Sequence, residues 1–236
     1  MKKIFLLLLL LIRLDLWAGI QTWKEKNIVL CYEKEVNPFT VEYIMNLAKI
    51  IDQNFRQNQK YSGDAPLNIY IYESTANFMR ERSSMWWQNF IIRSNVIYLN
   101  NVNLMLEKNF LQTLMKYLIY RVQFSTLYGD KVPEWVMTGI AVYYTDKNLF
   151  PPHNIKFSNF QEIIDRIHGY KTTEELDQIN HYYYRAVKYI FDNYKEDPFF
   201  QIMGQSNNFD EWQQNFFNLT GITYNEFIQN LLIHLN

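Results

Sequence analysis

The four histidines are the first candidates for metal or acid–base chemistry, and their spacing suits neither. His153, His168 and His181 are separated by 15 and 13 residues, and His234 lies near the C-terminus. A helical zinc site takes two imidazoles one turn apart, so these spacings predict surface or helix-cap histidines instead. Cys31 is the single cysteine, and no Gly-x-Ser-x-Gly sequence occurs. A cysteine-rich zinc module and a serine hydrolase of that type are therefore not indicated.

The composition is typical of a well-packed, mainly helical protein of near-neutral charge. The 236 residues include 23 Lys or Arg and 24 Asp or Glu, and the net charge of -1 argues against a nucleic-acid binder. Hydrophobic residues make up 48%, which is enough to bury a core and excludes wholesale disorder. The 7 glycines and 6 prolines are too few for a loop-rich all-β protein.

Residues 1–18 have the pattern of an export signal. Two lysines precede an apolar run at residues 4–12, which is too short to span a bilayer, and Ala18-Gly19 is a plausible cleavage site. We predict a signal peptide and hence an exported protein that is periplasmic or associated with the cell envelope. The alternative is an uncleaved N-terminal segment that anchors the protein in a membrane.

The remaining chain is predicted to form one domain with two parts. In residues 19–103, strands are predicted at 27–32 and 67–72, a helix from 41 to near 59, and a short helical turn at 74–80. Residues 90–99 are predicted to form a strand, or a hairpin with its turn at Ser94-Asn95. In residues 104–236, helices are predicted at 104–124, 134–144, 160–167, 174–190 or beyond, 198–203, 210–217 and 224–235. The predicted fold class is therefore α+β, with a strand–helix–strand mixed sheet packed on a mainly helical C-terminal half.

Two segments carry a resemblance to a known family. Residues 133–144 read Pro-Glu-Trp-Val-Met-Thr-Gly-Ile-Ala-Val-Tyr-Tyr, and residues 113–120 read Thr-Leu-Met-Lys-Tyr-Leu-Ile-Tyr. The first resembles the segment after the metal-binding helix of gluzincin-type zinc peptidases, in particular the peptidase MA-like group. The second matches the place of that group's T-L-x-H-E-L-x-H segment. With weaker similarity at 182–194 and 209–227, the resemblance covers most of residues 25–235 and implies a zincin-like fold.

The chain departs from the family at every position that carries the chemistry. Zinc hydrolysis there needs two imidazoles at i and i+4, a carboxylate base beside the first, and an acidic third ligand from the next helix. The corresponding residues are Lys116, Tyr117, Tyr120 and Thr138. A lysine repels a metal ion, and a neutral tyrosine cannot activate water near neutral pH. The resemblance thus implies a degenerate member with no catalytic residues, no metal ligands and no cofactor.

Three interpretations of the degenerate positions remain open. In the first, the ammonium of Lys116 replaces the metal charge in a stabilised site that Tyr120 and Thr138 complete. In the second, Lys116 anchors an acidic ligand or a peptide carboxylate. In the third, this helix face has become ordinary packing. Glu134, one turn before Thr138, is either a displaced ligand or, as we expect, a first-turn glutamate stabilised by the helix dipole.

A peptide-binding strand is the remaining functional candidate. In the family, an edge strand upstream of the metal helix pairs with extended substrate, and its counterpart here is Val96, Ile97, Tyr98 and Leu99. The preceding residues 85–87, Met-Trp-Trp, form either an aromatic contact patch or, as we favour, part of the packing.

These observations predict an exported, catalytically inactive metallopeptidase-like protein. It would bind or scaffold peptides or proteins in the cell envelope, with no nucleic-acid partner and with membrane contact only through an uncleaved N-terminal segment. The alternative is a hydrolase, a peptidase with a relocated active site.

Overall fold

The computed structural model describes residues 19–58, 66–107 and 110–235. The predicted signal peptide at residues 1–18 lies outside the described residues. Within them the chain forms five strands and ten α-helices, which confirms the α+β class. The strands are β1 (Ile20–Glu25), β2 (Ile28–Glu33), β3 (Leu67–Ile71), β4 (Phe90–Arg93) and β5 (Val96–Leu99). The helices are α1 (Pro38–Asn58), α2 (Thr75–Arg82), α3 (Val102–Glu107), α4 (Leu111–Tyr128), α5 (Glu134–Thr145), α6 (Phe160–Arg166), α7 (Thr173–Tyr194), α8 (Glu196–Gln205), α9 (Phe209–Thr220) and α10 (Tyr224–Leu235).

The chain forms two compact units whose boundary falls within α1. Of the described residues, 19–50, 66–107, 110 and 111 belong to one unit, and 51–58 and 112–235 belong to the other. The first unit contains the sheet, and the second contains α4 to α10. No helix in the described part of the chain is both long and apolar enough to cross a membrane.

The sheet is mixed, as predicted, and its strand order is β1-β2-β3-β5-β4. The strands β2, β3 and β5 are parallel neighbours, while β1 pairs with β2 and β4 pairs with β5 in antiparallel ladders. Apolar residues at alternate positions of the parallel strands are fully buried, namely Leu30, Leu67, Ile69, Ile71, Ile97 and Leu99. In the part of α1 that belongs to this unit, Val41, Ile44, Met45 and Ala48 are buried as well. This is expected of a crossover helix that lies on a sheet.

The sheet order corrects the predicted peptide-binding strand. Residues Val96 to Leu99 form β5, which is internal, because β3 pairs along one side of it and β4 along the other. A strand paired on both sides has no free backbone edge for a peptide. The edge strands are β1 and β4.

Two further elements differ from the prediction. Strand β1 was not predicted, because its apolar and polar residues alternate only weakly. It forms an antiparallel hairpin with β2, and Lys26 in the turn has a φ of 53°. The single helix predicted at 104–124 is two helices, α3 and α4. The N–H of Phe110 bonds back to the carbonyl of Met105 at 3.1 Å, which is a bond typical of a helix end.

In the second unit, α5 is buried along most of its length. All residues from Trp135 to Val142 are buried, and Gly139 faces α7. A Cβ atom at residue 139 would lie 2.4 Å from the carbonyl oxygen of Tyr183 and 2.6 Å from Cγ2 of Val187. The close approach of α5 to α7 therefore requires glycine at this position.

Candidate functional site

Arg121, on α4, organises the buried polar residues around Thr138. Its Nε donates to Oγ1 of Thr138 at 2.7 Å, and its Nη2 donates to Oε1 of Glu134 at 2.8 Å. Its Nη1 donates to Oγ of Ser125, whose hydroxyl donates in turn to the carbonyl of Arg121 at 2.8 Å. Arg121 is 8% exposed and Thr138 is 5% exposed. A buried cation thus joins α4 to α5 through hydroxyl and carboxylate acceptors.

Helical spacing accounts for this arrangement. Arg121 and Ser125 lie one turn apart on α4, while Glu134 and Thr138 lie one turn apart on α5, so each pair projects from one face. The planar guanidinium presents several donors in fixed directions, which lets one side chain reach three acceptors. Glu134 is in the first turn of α5, as predicted, but it is also the ion-pair partner of Arg121. Its side chain is 53% exposed, so water screens part of that attraction.

Tyr117, at the position of the family's general base, lies one turn before Arg121 and is buried. Its ring packs edge-on against Phe150, with centroids 4.9 Å apart. Burial raises the pKa of the Tyr117 phenol; the charge of Arg121 opposes this effect and that of Glu134 adds to it. The hydroxyl therefore stays neutral at ordinary pH and cannot act as a base.

Tyr120 and Lys116, at the two histidine positions, are packed together. Tyr120 is buried, and its ring centroid lies 5.1 Å from that of Phe55 in an edge-on contact. Burial raises the pKa of Tyr120. The ammonium of Lys116 lies 5.5 Å from the centroid of the Tyr120 ring. The structure therefore joins Lys116 to Tyr120, while the hydroxyl of Thr138 bonds to Arg121.

The residues that carry the resemblance have packing roles. Trp135 is buried; its Nε1 donates to the hydroxyl of Tyr224 at 2.9 Å, and its ring meets that of Phe160 edge-on at 5.3 Å. Gly139 permits the close contact with α7. The tryptophan and the glycine of the motif thus fix α5 among its neighbours.

The histidines do not assemble into a site. His153 Nε2 lies 3.3 Å from Oδ2 of Asp177, His168 is exposed, and the pKa of His181 is lowered by burial and then by the charge of Arg185. Across the described ranges, no group of three or more His, Cys, Asp or Glu side chains could hold a metal ion.

Arg121 was not singled out from the sequence, although a signal was present. With Lys116 it is one of the two charged residues of α4, and a buried guanidinium needs acceptors. Its acceptors were both considered in other roles: Thr138 at the position of a lost metal ligand, and Glu134 as a first-turn glutamate or, less favoured, a displaced ligand. Ser125, one turn along α4, is the third acceptor that was not considered.

Comparisons with known proteins identify no family for this chain. No protein-family profile matches the chain, and no curated protein sequence matches it.

Proposed function

We propose that this chain is an exported, catalytically inactive relative of zinc peptidases with a zincin-like fold, which binds peptide or protein segments. The single observation that carries the proposal is the guanidinium of Arg121, hydrogen-bonded to Thr138 and Glu134. Thr138 stands at the position where the resemblance expects an acidic zinc ligand.

The chemistry of the donor set supports the loss of metal catalysis. A catalytic zinc takes three protein ligands, from imidazole, carboxylate or thiolate groups. Lys116, Tyr117, Tyr120 and Thr138 supply an ammonium, two neutral phenols and a hydroxyl, and the hydroxyl accepts a bond from a cation. A metal ion near Thr138 would also be repelled by Arg121, and the carboxylate of Glu134 is already paired with that arginine.

The sheet supports a role in binding extended polypeptide. The strand β4 lies at one end of the strand order and is antiparallel to its neighbour β5. Asn100 N donates to Asn89 O at 2.9 Å, so these two residues form a hydrogen-bonded pair. Hydrogen-bonded and non-hydrogen-bonded pairs alternate along an antiparallel ladder, so Ile92, opposite Ile97, is in a non-hydrogen-bonded pair. The N–H and C=O of Ile92 therefore face away from β5. An added strand could use these groups, and this mode of recognition needs no metal.

The metal content of the purified protein tests the first half of the proposal. The protein is incubated with zinc, dialysed against metal-free buffer, and analysed by elemental mass spectrometry. We expect no retained zinc. About one tightly held zinc per chain would overturn the proposal and would favour a peptidase with a relocated site.

Binding to β4 is tested with a fluorescently labelled, reduced and carboxymethylated α-lactalbumin as the unfolded probe. Ile92→Pro removes an outward N–H without removing a bond to β5, whereas Ile92→Thr keeps the N–H and changes only the side chain. We expect loss of binding in Ile92→Pro and near-normal binding in Ile92→Thr, with the probe intact after incubation. Cleavage of the probe, or equal binding by both variants, would contradict the proposal.

Export is tested by mass spectrometry of the native N-terminus. The proposal expects a chain that begins at Gly19, and a chain that begins at Met1 would replace the signal peptide with an uncleaved anchor.

A further inference from the structure

The loop between α2 and β4 exposes two large apolar side chains next to each other. Met85 is 56% exposed and Trp86 is 73% exposed. The loop nevertheless contains its own hydrogen bonds: Gln88 N donates to Met85 O at 3.0 Å, and Met85 N donates to Oε1 of Gln88 at 2.7 Å. Asn100 Nδ2 donates to the carbonyl of Gln88 at 2.8 Å and ties the loop to the end of β5. Met85 and Trp86 are therefore exposed on a hydrogen-bonded turn.

Three arginines lie on the two elements that flank this turn, Arg80 and Arg82 on α2 and Arg93 on β4. Arg80 has a 69% exposed side chain, Arg93 is exposed, and Arg82 is half-buried. Nη2 of Arg93 donates to the carbonyl of Arg82 at 3.0 Å, so the end of α2 and the end of β4 lie together. Glu81 is the acidic residue among them. The patch is thus locally positive although the whole chain carries a net charge of -1.

Arg82 also fixes the patch onto the sheet. Its guanidinium carbon lies 4.0 Å from the ring centroid of Tyr98, and its Nε donates to the hydroxyl of Tyr72. That hydroxyl donates to Oε2 of Glu81 at 3.1 Å. Because Arg82 is held on a cation–π contact and a hydrogen bond, the turn that follows it keeps a defined position on this face of the sheet.

We infer that this surface, Met85 and Trp86 with Arg80, Arg82 and Arg93, docks on an anionic lipid membrane. Tryptophan is favoured at the membrane–water interface, where its ring lies among the headgroups, and arginines bind lipid phosphates. The turn leaves both apolar side chains exposed, so they can insert into a planar lipid interface. This inference goes beyond the proposed function and does not depend on it.

The first test uses the full chain and vesicles of phosphatidylglycerol and phosphatidylcholine with brominated acyl chains, which quench nearby tryptophans. We expect quenching of the wild-type emission, and we expect Trp86→Phe to lose a clear fraction of the quenched signal. Because both proteins carry the same N-terminal segment, its contribution cancels. Equal quenching in the two proteins would overturn the inference.

The second test measures vesicle affinity with matched controls. Arg80→Gln should weaken binding to vesicles containing phosphatidylglycerol about fivefold, and Trp86→Ser should weaken it further. Lys147→Gln, a change at another exposed cation, and Ile233→Ser, at another side chain that is 73% exposed, should leave binding unchanged. Equal effects of test and control variants, or no dependence on phosphatidylglycerol, would refute a membrane-docking surface.

A photo-cross-linking residue at position 86 distinguishes a lipid from a protein partner in producing cells. Lipid adducts support the inference. Protein adducts in the absence of lipid quenching would overturn it and would assign the surface to a protein instead.

Discussion

Arg121 and Thr138 lie 17 residues apart in sequence, yet Nε of the first donates to the hydroxyl of the second at 2.7 Å with both side chains buried. The contact joins α4 to α5 at the position where the family resemblance expects a metal ligand. A fixed organic cation thus stands beside that position, and it is held by acceptors that cannot ligate zinc as a set.

Removal of the Thr138 hydroxyl should destabilise the protein more than removal of the Glu134 charge. Thr138→Val leaves a buried guanidinium N–H without its acceptor, which costs about 2 kcal/mol of unfolding free energy. Glu134→Gln changes a half-exposed ion pair and should cost less than about 1 kcal/mol. Urea unfolding measures both, and Thr126→Val, on the neighbouring helix α4, is the control. A larger cost for Glu134→Gln would contradict the assigned role of Thr138.

Substitution of Gly139 should disrupt the contact between α5 and α7. In Gly139→Ala the new methyl group would overlap the backbone of Tyr183, which cannot rotate away, so we expect a loss of about 3 kcal/mol. Gly169→Ala is the matched control, since no atom lies within 4 Å of its added Cβ. Thermal unfolding compares the two variants. A Gly139→Ala variant as stable as Gly169→Ala would show that the helices can separate without cost.

Loss of the hydrogen bond between Trp135 and Tyr224 should destabilise the protein more than loss of the bond from the Tyr183 hydroxyl to the carbonyl of Ile163. Tyr224→Phe leaves the buried Nε1 of Trp135 without its acceptor at 2.9 Å and should cost about 1.5 kcal/mol. Tyr183→Phe removes a bond of 3.4 Å to the carbonyl of Ile163 and should cost about 0.5 kcal/mol. Burial raises the pKa of Tyr224 to about 12, so the phenol stays neutral throughout the experiment. Denaturant unfolding near neutral pH tests this order, and the reverse order would refute it.

Stability should fall as the pH decreases through the range in which an unfolded histidine titrates. The pKa of His181 is lowered in the folded state, first by burial and then by the charge of Arg185. Between that lowered pKa and the unfolded value of about 6.5, the unfolded chain binds more protons, so stability rises with pH. His181 thus contributes fully above about pH 6.5, and its contribution is lost as the pH falls toward the folded pKa.

The measurement for this prediction is urea unfolding at several pH values between about 5.5 and 7.5. We expect a shallower pH dependence in His181→Gln than in the wild type, while His168→Gln, at an exposed histidine, keeps the wild-type slope. The same slope in all three proteins would exclude His181 as the origin of the effect.

The sequence by itself determined the elements that depend on local periodicity. Helix α10 has the predicted bounds, Tyr224–Leu235, and α5 and β3 differ from the prediction by one residue. The hairpin turn at Ser94 and Asn95 was also predicted, and both residues have positive φ, as a two-residue hairpin requires. The spacing of apolar residues and the residue preferences of turns involve only a few neighbouring positions, so these features can be predicted from the sequence.

Only the tertiary structure decided the strand order and the partners of the buried charge. Strand β5 was predicted as an edge because sequence does not say that β4 folds back beside it and takes the outer position. Likewise Arg121 finds Glu134 and Thr138 only after α4 and α5 pack, which brings together acceptors that lie 13 and 17 residues away. Strand pairing and the hydrogen bonds of a buried cation both join groups that are distant in sequence. The free energy that favours one set of partners is gained only when the elements come into contact.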